Sequence, residues 1–393
     1  MEAEQIQRVN LLNSGDSLPC GMAVQPCNAQ KCLDQAERLY DFSQTKRRIE
    51  NFNAKNSRVK KGMALMPVCF GISFTTTFLN QAGALVHVYT DGSVSISTGA
   101  IEMGQGVNEK IALIAARIFS LPRSKIKVES TNTSRVANAS PTAASSGADL
   151  NGNATRLACL SLVERLKKVA SEKLGAGDDA IIEFSQGMIA IQGSQEKLSW
   201  EELVTTAYLN RVNLSAQAYY ATPDIWFDKT TGKGKPFAYH VFGLALLEVT
   251  VDGLRGTYSV DSVRLVHDSG ESLHPLIDRG QIEGAVVQGL GWTTLETLCY
   301  AEDGHLLTNS MSTYKIPDIY FAPDIIEISF LEDAQNAFGP FHSKAIGEPP
   351  FMYGIGAYFA IANALCAFDS ETEIAYDAPW TPEKVFMTLN RKK

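Results

Sequence analysis

The sequence predicts an α+β protein with mixed sheets and packed helices in two subdomains. Three observations predict it. Long strand-like and helical runs alternate over 393 residues without a fixed period, which excludes a repeat protein. A chain of that length exceeds one ordinary core, so two are expected. Hydrophobic residues make up 45% and charged residues 20%, the balance of a globular interior and not of a disordered, collagen-like or coiled-coil chain. A polar, glycine-rich stretch over 228–236 marks the expected division. The chain then reads as a helical lead-in at 1–61, a first subdomain at 62–228 and a second at 237–393.

The elements follow in order. The helical period of 27–56 sets Leu33, Ala36, Leu39, Tyr40 and Phe42 among charges, predicting an amphipathic helix with the basic run at 58–61 as its solvated end. From Met63 the pattern turns strand-like. Residues 86–89 and 94–97 flank Asp91-Gly92, a strong short-range hairpin signal. Residues 111–121 predict an apolar helix stopped by Pro122, and 149–173 a second helix. Residues 180–191 alternate as a hairpin does, and 199–210 predict a helix capped by Ser199. Strands are expected at 242–251, 259–266 and 325–331, with helices at 282–297 and 353–368.

Charge and composition remove several function classes. Thirty-five basic against 43 acidic residues give a net charge of −8, which leaves little for the basic face that nucleic-acid binding requires. No uncharged apolar stretch approaches the roughly 18–20 residues that cross a bilayer. The start, Met-Glu-Ala-Glu-Gln, lacks the basic and apolar regions of a secretory signal. The last four residues match none of the common C-terminal address signals. Seven cysteines spread thinly over the chain read as reduced thiols in a cytoplasmic protein. Cys27 and Cys32, separated by four residues, have no second close pair or nearby histidine to complete a zinc site. The six histidines are scattered, so ligation of a metal by side chains is not expected.

Four segments place flexible backbone beside a helix start. Glu102-Met103-Gly104-Gln105-Gly106 puts two glycines around a polar side chain, where backbone approaches a ligand closely and helix N–H groups favour an anion. Without a third glycine or a lysine it is neither a dinucleotide fingerprint nor a P-loop. Residues 140–149 carry small side chains after Pro141, suiting either close packing or a floor left open for a flat ligand. Residues 280–291 form a glycine-heavy helix in which Gly284 and Gly291 are expected to make tight helix contacts and Gln281 stands at the helix start. In Lys344-Ala345-Ile346-Gly347-Glu348-Pro349-Pro350, two prolines open a helix and fix Glu348 at its positive end. That glutamate is either an ordinary first-turn acid or a carboxylate positioned to take a proton. Taken singly, each segment has an ordinary structural explanation.

Together they form a pattern. From about Gly62 onward the chain resembles the C-terminal half of the molybdenum-cofactor domain of the molybdenum hydroxylases, and within them xanthine dehydrogenase/oxidase. The resemblance rests on Phe70-Gly71-Ile72-Ser73-Phe74-Thr75, residues 79–84, 102–106, 140–145, 149–152, 281–291, 312–317 and 347–350, in the family's order. It implies a molybdopterin-binding domain of the xanthine dehydrogenase/aldehyde oxidase type. The molybdenum is held through a pterin dithiolene, not by side chains. The family's cofactor contacts map onto Met103, Gly104, Gln105, Thr142, Ser145, Gln281 and Gly347, and its substrate contacts onto Phe74 and Thr75. Ala143 and Ala144 border the pocket, Phe74 would stack on a flat heterocycle, and Glu348 matches the family's general base. A position two after Ser145 that is commonly serine is Gly147 here.

The resemblance also implies what lies elsewhere. Two iron–sulfur domains with [2Fe–2S] clusters, a flavin domain binding FAD and the first half of the molybdenum domain are expected in partner chains or in the rest of a longer polypeptide. A hetero-oligomer acting on a purine, hypoxanthine or xanthine, with no nucleic acid and no membrane, is the expectation. The alternatives are an aldehyde oxidase-type hydroxylase and an inactive binding or assembly module of the same fold.

Overall fold

The computed structural model describes residues 3–177 and 180–390. The first two residues and 391–393, read above for targeting signals, lie outside the described residues. The lead-in forms α1 (Ala3–Val9), α2 (Ala29–Tyr40) and α3 (Phe42–Lys55). The single period expected over 27–56 is broken at Asp41, whose φ of 37° is left-handed and whose carboxylate accepts from the Gln44 N–H at 2.9 Å to start α3. An aspartate adopts that conformation more readily than most residues because its short side chain bonds locally.

The basic run at 58–61 is not a solvated helix end. It opens β1 (Val59–Ile72), where Arg58 and Lys61 pair with Asp252 and Asp261 at 3.2 and 2.6 Å. Next come β2 (Gln81–Val88), β3 (Val94–Thr98), α4 (Val107–Phe119), β4 (Ile126–Val128) and α5 (Gly147–Lys173). A meander of β5 (Ile182–Ser185), β6 (Met188–Ile191) and β7 (Lys197–Ser199) leads to α6 (Trp200–Leu209). Ser199 and Glu202 form a reciprocal capping box there. Then follow β8 (Ser215–Ala221), a ribbon of β9 (Trp226–Asp228) and β10 (Lys233–Lys235), β11 (Tyr239–Asp252) and β12 (Thr257–His267). The chain closes with α7 (Pro275–Thr294), β13 (Ile325–Phe330), α8 (Gly356–Cys366) and α9 (Pro382–Asn390).

Two four-stranded sheets organise these elements. One has the order β4-β3-β2-β8, its hairpin pairing Val86 with Ile96 across the expected turn. Helices α4 and α5 cover it, burying Ile111, Ala115, Leu162 and Leu166 against Val86 and Ile96. Strand β8 was not anticipated, because the sequence Ser-Ala-Gln-Ala-Tyr-Tyr-Ala lacks the β-branched residues that mark a strand. The other sheet has the order β1-β11-β12-β13. Every residue of β1 pairs antiparallel with β11, so the boundary expected at residue 62 falls inside a strand, and β1 belongs to the sheet of the second subdomain.

This second sheet is buried on both faces, which is why residues 241–247 of β11 read as an unbroken apolar run. Phe242, Leu244 and Leu246 face the lead-in helices, and Ala245, Leu247 and Val249 face α7 and α8. Helix α7 starts at Pro275 after His274, earlier than the expected residue 282, so Gln281 lies within the helix and not at its start. A side chain at Gly284 would meet nothing, contrary to the tight contact expected there. Gly289 makes that contact instead: its Cβ would stand 2.1 Å from the Phe351 carbonyl oxygen. Helix α7 crosses there over the 3-10 turn Pro349–Ile355, which the two prolines open ahead of α8. At Gly291 the neighbour is Pro317, 2.3 Å from a built Cβ.

The two glycines should therefore respond oppositely to alanine. Gly289→Ala forces backbone apart and should destabilise by about 1–3 kcal/mol or more. Gly284→Ala removes a flexible residue from an open helical position and should stabilise by about 0.5–1 kcal/mol. Thermal melts of the two variants check the signs, and equal shifts would contradict this crossing.

Candidate functional site

The site is built where the two sheets approach each other. Segment 344–348 lies beside the end of the second sheet, where the Lys344 N–H donates to the Ser269 carbonyl just past β12 at 2.8 Å, and the loop 140–146 precedes α5 on the first. Lys344 anchors its segment: its Nζ lies 2.5 Å from Asp268 Oδ2 and donates to the His240 carbonyl at 3.0 Å, with both charged side chains almost wholly buried. Tyr239 ties the two sides together. Its hydroxyl accepts from the Ala345 N–H at 2.9 Å and donates to Asp149 Oδ2 at 2.5 Å.

Between these walls lies a cavity of about 240 Å³. Met103, Gln105, Thr142, Ala143, Ala144, Ser145, Gln281, Gly347 and Glu348 all line it. The structure thus brings residues of all four sequence segments to one cavity. Gly104 is not in the lining, and neither are Phe74 and Thr75. Phe74 is half-buried in a turn, its N–H and C=O both bonded by the Asn80 amide at 2.8 Å, and Thr75 is exposed.

The loop 102–106 behaves differently from the expectation of free helix N–H groups. Glu102 accepts from the backbone of Gly104, Gly106 and Asn108 at 2.9–3.0 Å. Partial burial would raise its carboxyl, but these N–H bonds outweigh that and hold it below the usual range. The amide of Gln105 is likewise spent locally, accepting from Met103 and donating to the Ile101 carbonyl at 2.6 and 2.8 Å. Thr142 Oγ1 accepts from the Ile101 N–H at 2.9 Å, joining this loop to the small-residue segment. At Gly147 an added Cβ would make only ordinary contacts, 3.4 Å from Thr142.

Sequence reasoning missed the polar floor. Lys110 Nζ lies 2.6 Å from Asp278 Oδ1, both side chains nearly buried. That oxygen has no hydrogen-bond partner, so the pair is close in distance but off the hydrogen-bond direction. Ser272 donates to the other oxygen at 2.5 Å. Asp149 completes the floor; burial raises its carboxyl to about 7, against the opposing pull of the Tyr239 hydrogen bond and the Lys110 charge. One signal was present: Lys110 shares the buried helical stripe of Val107, Ile111 and Ile114, where a lysine is out of place unless paired.

Comparison with known proteins follows this geometry. The family model described as molybdopterin cofactor-binding domain matches residues 35–323. The chain is 40% identical over 395 residues to the xanthine dehydrogenase of Oryza sativa subsp. japonica, covering 98% of this chain and 27% of the relative. It is 39% identical over 386 residues to the xanthine dehydrogenase/oxidase of Gallus gallus, covering 97% and 27%. It therefore spans little more than a quarter of the length of these curated relatives. Among solved structures, quinoline 2-oxidoreductase from Pseudomonas putida 86 superposes with a TM-score of 0.85 at 22% identity, covering 99% of this chain and 49% of that one. An aldehyde oxidoreductase from Desulfovibrio desulfuricans superposes at 0.78 and 24% identity, covering 99% and 38%. These likenesses share the α+β fold.

The buried Asp149 makes a pH signature. A raised folded value means its contribution to stability is fully present below 3.8 and is lost as pH rises to about 7. Asp149→Asn keeps an acceptor for Tyr239 and cannot ionise. Its stability relative to the parent should grow by roughly 2–3 kcal/mol between pH 5 and pH 8, at 1.36 kcal/mol per unit of the interval. Denaturation midpoints at the two pH values measure it; a constant difference would contradict the raised value.

Proposed function

The chain belongs to the molybdopterin cofactor-binding domain family, and from that premise we propose that it forms part of the catalytic portion of a xanthine dehydrogenase-like hydroxylase, oxidising hypoxanthine and xanthine with water as the oxygen source. The observation that carries this reading is Glu348, an exposed carboxylate at the edge of the cavity with one oxygen bonded to Ser145.

The residues present fit a flat cofactor with hydrogen-bonding edges. Val107, Leu273 and Ile346 offer apolar surface, while Lys110, Asp278 and Gln281 offer polar groups. Met103, Gly104, Gln105, Thr142, Ser145, Gln281 and Gly347 would hold the cofactor, Gly104 through the turn that presents its neighbours. Bound molybdenum-molybdopterin supplies a two-electron oxidation that substrate and side chains do not supply themselves. Glu348 takes on an oxygen of its carboxylate the proton released as water oxygen is added to the substrate carbon. Ala143 and Ala144, without bulk beyond Cβ, leave room beside it for a planar ring.

The wider assembly is part of the same proposal. The first half of the molybdenum domain, the [2Fe–2S] clusters and FAD would come from partner chains or from the rest of a longer polypeptide in a cytoplasmic hetero-oligomer. Met311, Ile319 and Tyr320 support an incomplete surface, being 77%, 81% and 94% exposed on one irregular segment; solvent-facing apolar clusters of this kind mark interaction sites.

Two measurements on the assembled enzyme test the reading. Glu348→Gln keeps size and removes basicity, and should lose about 10²–10⁴-fold in turnover with molybdenum content unchanged. Glu283→Gln, on the exposed side of α7, should leave turnover near that of the parent. Near-normal xanthine turnover by Glu348→Gln removes this residue from the mechanism. Purine specificity carries Phe74 and Thr75 as substrate contacts and is tested separately, because neither lines the cavity. The value of kcat/KM should be higher for hypoxanthine and xanthine than for an aromatic aldehyde. The reverse order would favour the aldehyde oxidase-type reading.

A further inference from the structure

We propose that Ser145 is the positioning residue of the Glu348 carboxylate, one hydroxyl fixing both the backbone and the side chain of that residue. Ser145 Oγ accepts from the Glu348 N–H at 2.8 Å and donates to Glu348 Oε2 at 2.8 Å. A serine hydroxyl has a single proton, and here it goes to the carboxylate. Among the described residues, Ser145 is the hydrogen-bond partner of that carboxylate. Glu348 is exposed, so without the hydroxyl a side chain with several rotatable bonds would sample many rotamers. With it, one oxygen is held and the other is left free to accept a proton.

The backbone is shaped around this contact. Ala144 and Ser145 are both left-handed, with φ of 54° each, a costly conformation for residues with a Cβ that persists only where the surroundings impose it. On the facing segment Gly347 supplies the clearance: a built Cβ would lie 3.1 Å from Ser145 Oγ, tighter than side chains ordinarily pack. The strained serine and the glycine therefore close one short gap from opposite walls. Lys344 and Ala345, anchored by Asp268 and Tyr239, keep the glutamate segment from following if the clamp is lost. Rotamer freedom of Glu348, and not collapse of the wall, is then the consequence of removing the hydroxyl.

The inference rests on the reading of Glu348 as the base, and the experiment separates the two. In the holoenzyme, Ser145→Ala removes both hydrogen bonds. Ser145→Gly removes them and also relieves the positive φ, so that a folding defect of the alanine variant cannot stand in for the effect. Both should lower kcat per bound molybdenum by about 10–10²-fold, the scale of a misplaced catalytic group, with KM little changed. Hydrogen exchange at the Glu348 amide should quicken about fivefold, as for one lost hydrogen bond. In a Glu348→Gln background, Ser145→Ala should cost less than about twofold, because groups acting as a unit are not additive. Unchanged kcat in both serine variants overturns the proposal. Loss of molybdenum with exchange at Glu348 and kcat per bound molybdenum both unchanged also overturns it and leaves the serine a cofactor contact alone. Faster exchange in the serine variants together with near-normal turnover by Glu348→Gln overturns the base reading alone and leaves the clamp standing.

Discussion

The buried ion pair of Lys344 and Asp268 is the constraint on which the site depends. Its two side chains are 2% and 0% exposed and meet at 2.5 Å. Asp268 Oδ2 also accepts from Asn28 in the lead-in at 2.9 Å, and Lys344 donates to the carbonyl of His240 at the start of β11. One cluster thus joins the lead-in, the second sheet and the wall that carries Glu348. Taking two charges out of water is costly, and such a pair is weak evidence of net stability. Its loss is another matter, since removing one partner strands the other at about 3–5 kcal/mol. What it fixes is the path of segment 344–348. The histidines beside it share its environment. Burial pushes His240 and His267 to about 4, helped at both by the Lys344 charge and opposed at His267 by Asp268 and Asp278. Their stability contribution is present above 6.5 and is lost as pH falls towards 4, opposite in sign to that of Asp149.

The cavity wall is assembled from elements of both sheets. Tyr239 is the first residue of β11, yet its hydroxyl reaches Asp149 in the first turn of α5. A buried hydroxyl that both donates and accepts cannot shift without leaving a polar group unpaired, at a cost of about 1–3 kcal/mol. The spacing between the loop of Ser145 and the segment of Glu348 is therefore set by hydrogen bonds below them, and the clamp between those residues is the last contact in a series.

How much was legible in the sequence follows from which forces act locally. The Asp91-Gly92 hairpin, the Ser199 cap and the apolar strands of the second sheet were legible because each is decided within a few residues. The break at Asp41 was not, since one left-handed residue interrupts an otherwise continuous helical period. Nor was the strand role of residues 58–61, where acids of β11 and β12 absorb charges that look solvated in isolation. Four motifs converging on one cavity were legible through the resemblance, but the contacts between them were not. Ser145 and Glu348 stand 203 positions apart, and nothing in either segment names the other. Lys110 and Asp278 were hidden for the same reason, each looking like an ordinary helical charge until its partner is in view.

The electrostatics of the finished cavity argue for the kind of group it receives. A helix start ordinarily presents uncompensated N–H groups to an anion, and the turn before α4 has the glycines to do so. Glu102 occupies those donors itself, so the positive end of the helix is answered from within. Lys110 is answered by Asp278, and Lys344 by Asp268. No buried cation is left to pull a small free anion into the cavity among the described residues. What remains is a set of directional groups on apolar surface, with one exposed carboxylate at the edge. Such a cavity discriminates by the pattern of donors and acceptors on a flat edge more than by charge. That is the recognition a heterocyclic cofactor requires.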